Sequence, residues 1–221
     1  MRWILGVLLL TALALPASAH AAPLLNVDLA RESVRYGQAH RVDGTLTDGT
    51  VALARQQVVL EGRRYPYEGS YRVIERTTTN AEGEFRFDTE LDRNHRLRVF
   101  APKQNVRSDR LQTYTLPSFE LSFRAISPGV VRLYQRYTVP KQVRLSAPTL
   151  FYLGRRGAAR ASIRRTGELK RARAGRYTSH VTVTLPSSWN GAFRYASCFR
   201  ASPGSGMGDP DQSCPKLKLQ F

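Results

Sequence analysis

Apolar and polar residues alternate with a period of two along most of this chain. In Glu84-Phe85-Arg86-Phe87-Asp88 the aromatic side chains share one face and the charges share the other. Arg96-Leu97-Arg98-Val99, Phe119-Glu120-Leu121-Ser122-Phe123, Val143-Arg144-Leu145 and His180-Val181-Thr182-Val183-Thr184-Leu185 follow the same rule. A pleated strand turns successive side chains to opposite sides, so each of these segments sets one face on a core and the other in water. Turn signals separate them: Asp48-Gly49, Glu61-Gly62, Asn80-Ala81-Glu82-Gly83, Ala174-Gly175 and Asn190-Gly191. Beyond the first 21 residues no stretch carries a 3.6-residue apolar stripe. The pattern predicts strands at about 27–36, 40–47, 55–64, 70–78, 83–89, 95–101 and 111–124, then at about 130–138, 141–147, 149–154, 159–165, 167–172, 177–185 and 192–200.

The opening residues break this pattern. Arg2 precedes an apolar run from Ile4 to Leu15, Pro16 ends any helix there, and Ala17-Ser18-Ala19 and Ala19-His20-Ala21 offer small-x-small cleavage sites. The run is shorter than the roughly 20 apolar residues needed to cross a bilayer. It reads as a secretory signal peptide over residues 1–21. The mature chain is then long enough for two domains of about 100 residues, the size of a small β-sandwich. The expected fold is all-β: two tandem immunoglobulin-like β-sandwich domains after a cleaved signal peptide, with residues 22–124 in the first and 125–221 in the second.

Export changes the reading of the cysteines. There are two, Cys198 and Cys214. In an oxidising compartment they are expected to pair, closing a loop of about 15 residues worth roughly 3 kcal/mol. Within that loop Gly204-Ser205-Gly206 reads as a flexible turn, and the glycine content of Ser205-Gly206-Met207-Gly208 would let backbone amides face a ligand, a weak signal because such loops are common.

Charge separates the two halves. The net charge is +17, with sixteen Lys/Arg against fourteen Asp/Glu from Ala22 to Arg124, and seventeen against three from Ala125 to Phe221. Such a field favours an anionic partner and opposes self-association, so a monomer is expected. The densest stretch holds Arg155, Arg156, Arg160, Arg164, Arg165, Lys170, Arg171, Arg173 and Arg176, with Glu168 the one acid among them. Guanidinium groups pair with phosphate or carboxylate through two parallel hydrogen bonds. The nearby aromatics Tyr134, Tyr137, Phe151, Tyr152, Tyr177 and Tyr195 read as core residues.

Catalytic and metal constellations are weak. His40, His95 and His180 sit in separate strand regions, without paired metal-ligand spacing, and read as exposed strand or turn residues. No Gly-x-Ser-x-Gly elbow is present. Asn80, Glu82, Glu84 and Asp88 do not follow the order of an EF-hand loop. Glu84 and Asp88 read instead as the solvated face of a strand.

Tyr36-Gly37-Gln38, Val42-Asp43-Gly44-Thr45-Leu46, Val58-Val59-Leu60 and Thr77-Thr78-Thr79-Asn80-Ala81-Glu82-Gly83-Glu84-Phe85-Arg86-Phe87 form a Thr-rich strand, a glycine turn and an aromatic strand in series. About residues 26–101 this resembles the immunoglobulin-like or carboxypeptidase-regulatory-like modules of exported bacterial proteins, notably actinobacterial ones. The resemblance implies a β-sandwich with Phe85 and Phe87 inward. It implies no particular activity, because such modules serve as spacers, binding domains and accessory domains.

The expected function is that of a secreted, non-enzymatic binding protein without cofactor or metal. Its basic second domain would bind a polyanion outside the cell or at the cell envelope: a wall polymer, anionic lipid head groups or extracellular nucleic acid. The alternative is a protein-interaction or accessory module of a secreted or surface assembly, whose charge assists encounter only.

Overall fold

The computed structural model describes residues 22–200, 202 and 204–208. Residues 1–21, where a signal peptide is expected, and Cys214 lie outside them. Among the described residues no helix is long and apolar enough to cross a membrane.

The described chain is all-β, with one short 3-10 turn at Ser187–Trp189. The first ten strands are β1 (Pro23–Leu29), β2 (Ser33–Arg35), β3 (Ala39–Asp48), β4 (Val51–Ala52), β5 (Gln57–Arg64), β6 (Arg72–Thr78), β7 (Glu84–Glu90), β8 (His95–Ala101), β9 (Val106–Arg107) and β10 (Leu111–Leu116). They form two sheets. In one, β3 pairs with β1, β4 and β7; the other runs β2-β10-β8-β5-β6, with β9 beside β8. All of these pairings are antiparallel except that of β2 with β10. The remaining strands are β11 (Ser118–Ser127), β12 (Val130–Thr138), β13 (Thr149–Arg155), β14 (Ile163–Gly167), β15 (Leu169–Arg173), β16 (Arg176–Thr184) and β17 (Phe193–Cys198). They form the antiparallel sheets β11-β12-β16-β15 and β14-β13-β17.

Each pair of sheets packs face to face, as in a β-sandwich. In the N-terminal pair, Leu25, Val42, Leu46, Phe85 and Phe87 meet Val58, Leu60, Leu97 and Val99. In the C-terminal pair, Val131, Leu133 and Val183 meet Phe151 and Leu153, with Trp189 closing the end. The period-two reading accounts for this core: β7 alternates strictly between exposed and buried, with Phe85 and Phe87 inward. Glu84 and Asp88 lie on its solvated face. Asn80 builds the turn before it, its Oδ1 accepting hydrogen bonds from the amides of Glu82 and Glu84 at 3.1 and 2.7 Å.

Three strand predictions change. The predicted strand at 27–36 divides into β1 and β2, which belong to different sheets. The predicted strand at 111–124 divides at Pro117, and the expected domain boundary at 124/125 falls inside β11. Proline lacks an amide donor, so a ladder is readily left there. The segment 141–147 is no strand. Pro140 and Pro148 flank it, and the Val143 amide donates to the Pro140 carbonyl at 2.9 Å in a turn. Its apolar alternation is nonetheless used, because Val143 and Leu145 are buried.

They are buried in a third cluster at the junction of the two sheet pairs. Tyr137, Val139, Val143, Leu145, Tyr177 and Met207 form it, and Tyr36, Phe119, Leu169 and Phe199 pack against them. The segment read as a flexible turn is therefore a wedge: Ser205 and Met207 are 4% and 1% exposed. The sequence showed its glycines but not the partners that fix them.

Candidate functional site

The strand pairing sets the nine basic residues in order along one side of the C-terminal sheets. β14 is the edge of one sheet and β15 the edge of the other, and one residue, Glu168, separates them. The chain passes between sheets at Gly167, where a Cβ would lie 2.4 Å from Ser179 Oγ and 2.7 Å from the Phe151 ring. No larger residue fits that crossing. Residues 163–167 and 169–173 are thus successive edge strands, one on each sheet.

Arg155 ends β13, and Arg156 and Arg160 lie in the connection to β14 at the end remote from the junction. Arg164 and Arg165 follow on β14, then Lys170, Arg171 and Arg173 on β15. Arg176 opens β16 at the junction end, opposite both Arg173 and Thr138. All nine are exposed. Among the described residues Glu168 pairs with Lys170 at 3.7 Å, both side chains being mostly in water. No carboxylate among the described residues forms an ion pair with the eight arginines of this set.

Acids of the N-terminal sheets are engaged locally. Arg41 pairs with Asp88, Arg64 with Asp92, Arg86 with Asp43 and Arg98 with Glu61. The two halves therefore differ in charge compensation as well as in composition. Of the aromatics near the stripe, Tyr137, Phe151, Tyr152 and Tyr177 are buried, and the Tyr137 hydroxyl, bonded to Thr149 Oγ1 at 2.9 Å, is pushed up to about 12 by burial. Tyr134 and Tyr195 are half-buried.

The opposite side of the C-terminal sheets differs. There β11 and β17 are the edges. Phe123 contacts Phe193 and Tyr195 edge-on, with ring centroids 5.3 and 5.5 Å apart, and Phe123 is 51% exposed. Ile126 is exposed on the same strand.

Two histidines read as exposed are buried. His40 on β3 is fully enclosed and His95 on β8 nearly so, while His180 is exposed. His40 Nε2 lies 3.4 Å from Thr115 Oγ1, and its Nδ1 has no hydrogen-bond partner. Burial, then the neighbouring His95, holds the His40 pKa down at about 4. Burial also lowers that of His95, against the opposing pull of the Arg93 carbonyl and Asp92. His95 lies between Asn94 and Arg96, and His40 between Ala39 and Arg41, so neither neighbourhood marks the imidazole as inward, and periodicity alone misplaced them. Among the described residues no group of three or more His, Cys, Asp or Glu is placed to hold a metal ion.

Cys198 ends β17 and there is no free cysteine among the described residues. Its expected partner, Cys214, lies outside them.

No protein-family model matches the chain. No curated protein matches it either. Among solved structures it is similar to Escherichia coli alpha-2-macroglobulin in its native conformation, with 15% identity and a TM-score of 0.33 over 86% of this chain and 13% of that one. It is also similar to E. coli alpha-2-macroglobulin activated by porcine elastase, with 10% identity and a TM-score of 0.37 over 82% of this chain and 22% of that one. The chain thus spans less than a quarter of the length of either.

Proposed function

We propose that this is a secreted, non-enzymatic binding protein made of two tandem immunoglobulin-like sandwiches. Its C-terminal half binds a polyanion, such as a wall polymer, anionic lipid head groups or extracellular nucleic acid. Export behind the N-terminal apolar segment and a Cys198–Cys214 disulfide belong to the same reading. The observation that carries it is the edge stripe from Arg155 to Arg176, whose arginines are exposed without ion-pair partners among the described residues. Uncompensated charge on a raised edge meets an extended polymer without requiring a pocket, and binding draws on counterion release. Retention on heparin or duplex DNA across a salt series tests it. Steep weakening with salt supports the reading; equal retention at low and high salt ends it.

Exposed Phe123, packed on half-buried Phe193 and Tyr195, favours a second reading, docking of a protein partner on the opposite edge. An exposed aromatic patch at open strand edges suits protein association, with the charge then serving encounter. A pull-down partner retained at high salt and lost on Phe123→Ser would favour this reading over the first.

A further inference from the structure

The wedge borders a cleft that is separate from the stripe. This cleft, of about 510 Å³, opens between the outer face of the β8–β10 region and the wedge, in the size range of small-ligand sites. Tyr65, Tyr67, Arg96, Gln112 and Tyr114 line one side, and the glycine backbone of residues 204–208 lines the other. Among the described residues no carboxylate lines it.

Four features point to a ligand. Arg96 on β8 stands directly opposite Arg63 on β5, a like-charge cross-strand pair that opposes sheet pairing. The Nε atoms of both are buried without hydrogen-bond partners among the described residues. Arg96 is held in place by stacking on Tyr67, its guanidinium carbon 4.3 Å from the ring centroid, as Arg63 is on Tyr71 at 4.5 Å. Tyr67 itself has a positive φ of 71°, a conformation that costs energy for a bulky residue, and Gln112 fixes its hydroxyl at 2.9 Å. The strained Tyr67 and the unpaired Arg96 donor thus meet at one cleft, with the like charge of Arg63 beside Arg96 on the neighbouring strand.

We propose that this cleft binds an acidic sugar unit, a pyranose bearing a carboxylate or sulfate. The anion would face the Arg96 guanidinium, which offers planar paired donors. The apolar C–H face of the ring would lie on the electron-rich faces of the cleft tyrosines. A Cβ at Gly204 would meet nothing among the described residues within 4 Å, so they leave the rim open there.

The test is calorimetry on the full chain with three tetrasaccharides: oligogalacturonate, a heparin fragment and neutral maltotetraose. Saturable binding of either acidic probe, at least about tenfold tighter than maltotetraose, is expected, and Arg96→Gln should weaken it by about tenfold or more. Binding of oligogalacturonate shows that a carboxylate suffices; binding of the heparin fragment alone, which carries both groups, points to sulfate. A variant with Arg164, Arg165, Lys170 and Arg171 all changed to Gln should retain this binding, which separates the cleft from the stripe. If Arg96→Gln does not fold, amide chemical shifts of the wild type decide: perturbation at Tyr67, Gly204 and Gly206 supports the cleft. No saturable binding of an acidic probe, equal affinity for the neutral one, unchanged affinity in a folded Arg96→Gln protein, or shifts confined to residues 155–176 overturns it.

Discussion

The Asn94 side-chain amide donates to the Gly208 carbonyl at 2.8 Å, joining residues 114 positions apart. The same asparagine gives its backbone amide to the Gly206 carbonyl at 2.7 Å and accepts the Thr115 amide on Oδ1 at 2.9 Å. The Gly208 amide then returns to the Thr115 carbonyl at 2.9 Å. The side chain and backbone of this one residue therefore tie the wedge to the neighbouring strands β8 and β10. Met207, between the two bonded glycines, is seated in the junction core.

Removing that side chain should release the wedge before it unfolds the sheets. Asn94→Ala leaves the Thr115 amide and the Gly208 carbonyl without their partner, at a cost of about 1–3 kcal/mol. Hydrogen exchange is expected to show lost protection at Gly208 and Thr115 while the β3–β7 ladder keeps its own. Unchanged protection at Gly208 would mean that the wedge is held by Met207 packing alone.

Gly44 makes a sharper demand on sequence than its place in a strand suggests. A Cβ there would lie 2.4 Å from the Phe85 ring and 2.5 Å from the Asn26 carbonyl oxygen. Gly62 is crowded too, but mainly by the mobile tip of Ile74 at 2.3 Å. Gly44→Ala should therefore destabilise by about 1–3 kcal/mol, and Gly62→Ala by clearly less. Urea midpoints of the two variants check the order; equal losses would contradict it.

Acid should weaken the fold through His40. Its folded pKa of about 4 lies below the ordinary 6.5, so the unfolded chain takes up a proton that the folded chain refuses between those values. Stability from this group is complete above about pH 6.5 and is lost as pH falls toward 4. A melting temperature lower by about 5 °C or more at pH 4.5 than at pH 7 is expected, with a smaller fall in His40→Gln. An equal fall in both proteins would assign the acid sensitivity elsewhere.

The sheets were legible because their information is local. Phe85 and Phe87 face inward as alternation requires, and Asn80 and Gly83 turn the chain as their chemistry allows. What failed depended on contacts distant in sequence. Val143 and Leu145 alternate like a strand, but flanking prolines leave them a loop that fills the junction. Gly206 and Met207 looked unconstrained because Tyr65, Asn94 and Tyr137 lie far from them in sequence. The stripe was visible as composition; its arrangement along one edge required knowing that β14 and β15 border different sheets on the same side.

That arrangement makes position matter as much as net charge. Arg164, Arg165, Lys170 and Arg171 occupy the middle of the edge, whereas Arg132 donates from β12 to Thr182 Oγ1 at 3.0 Å, and Arg136 also lies on that inner strand. Changing the four edge residues to Gln should flatten the dependence of binding on salt, since each phosphate contact contributes about 0.9 to the slope of log K against log salt on duplex DNA. Changing Arg132 and Arg136 to Gln should lower the slope by less per charge removed. A fluorescence titration against a short DNA duplex at several salt concentrations measures both. If each removed charge lowers the slope equally wherever it sits, the protein responds to its overall field, and the edge has no privileged role.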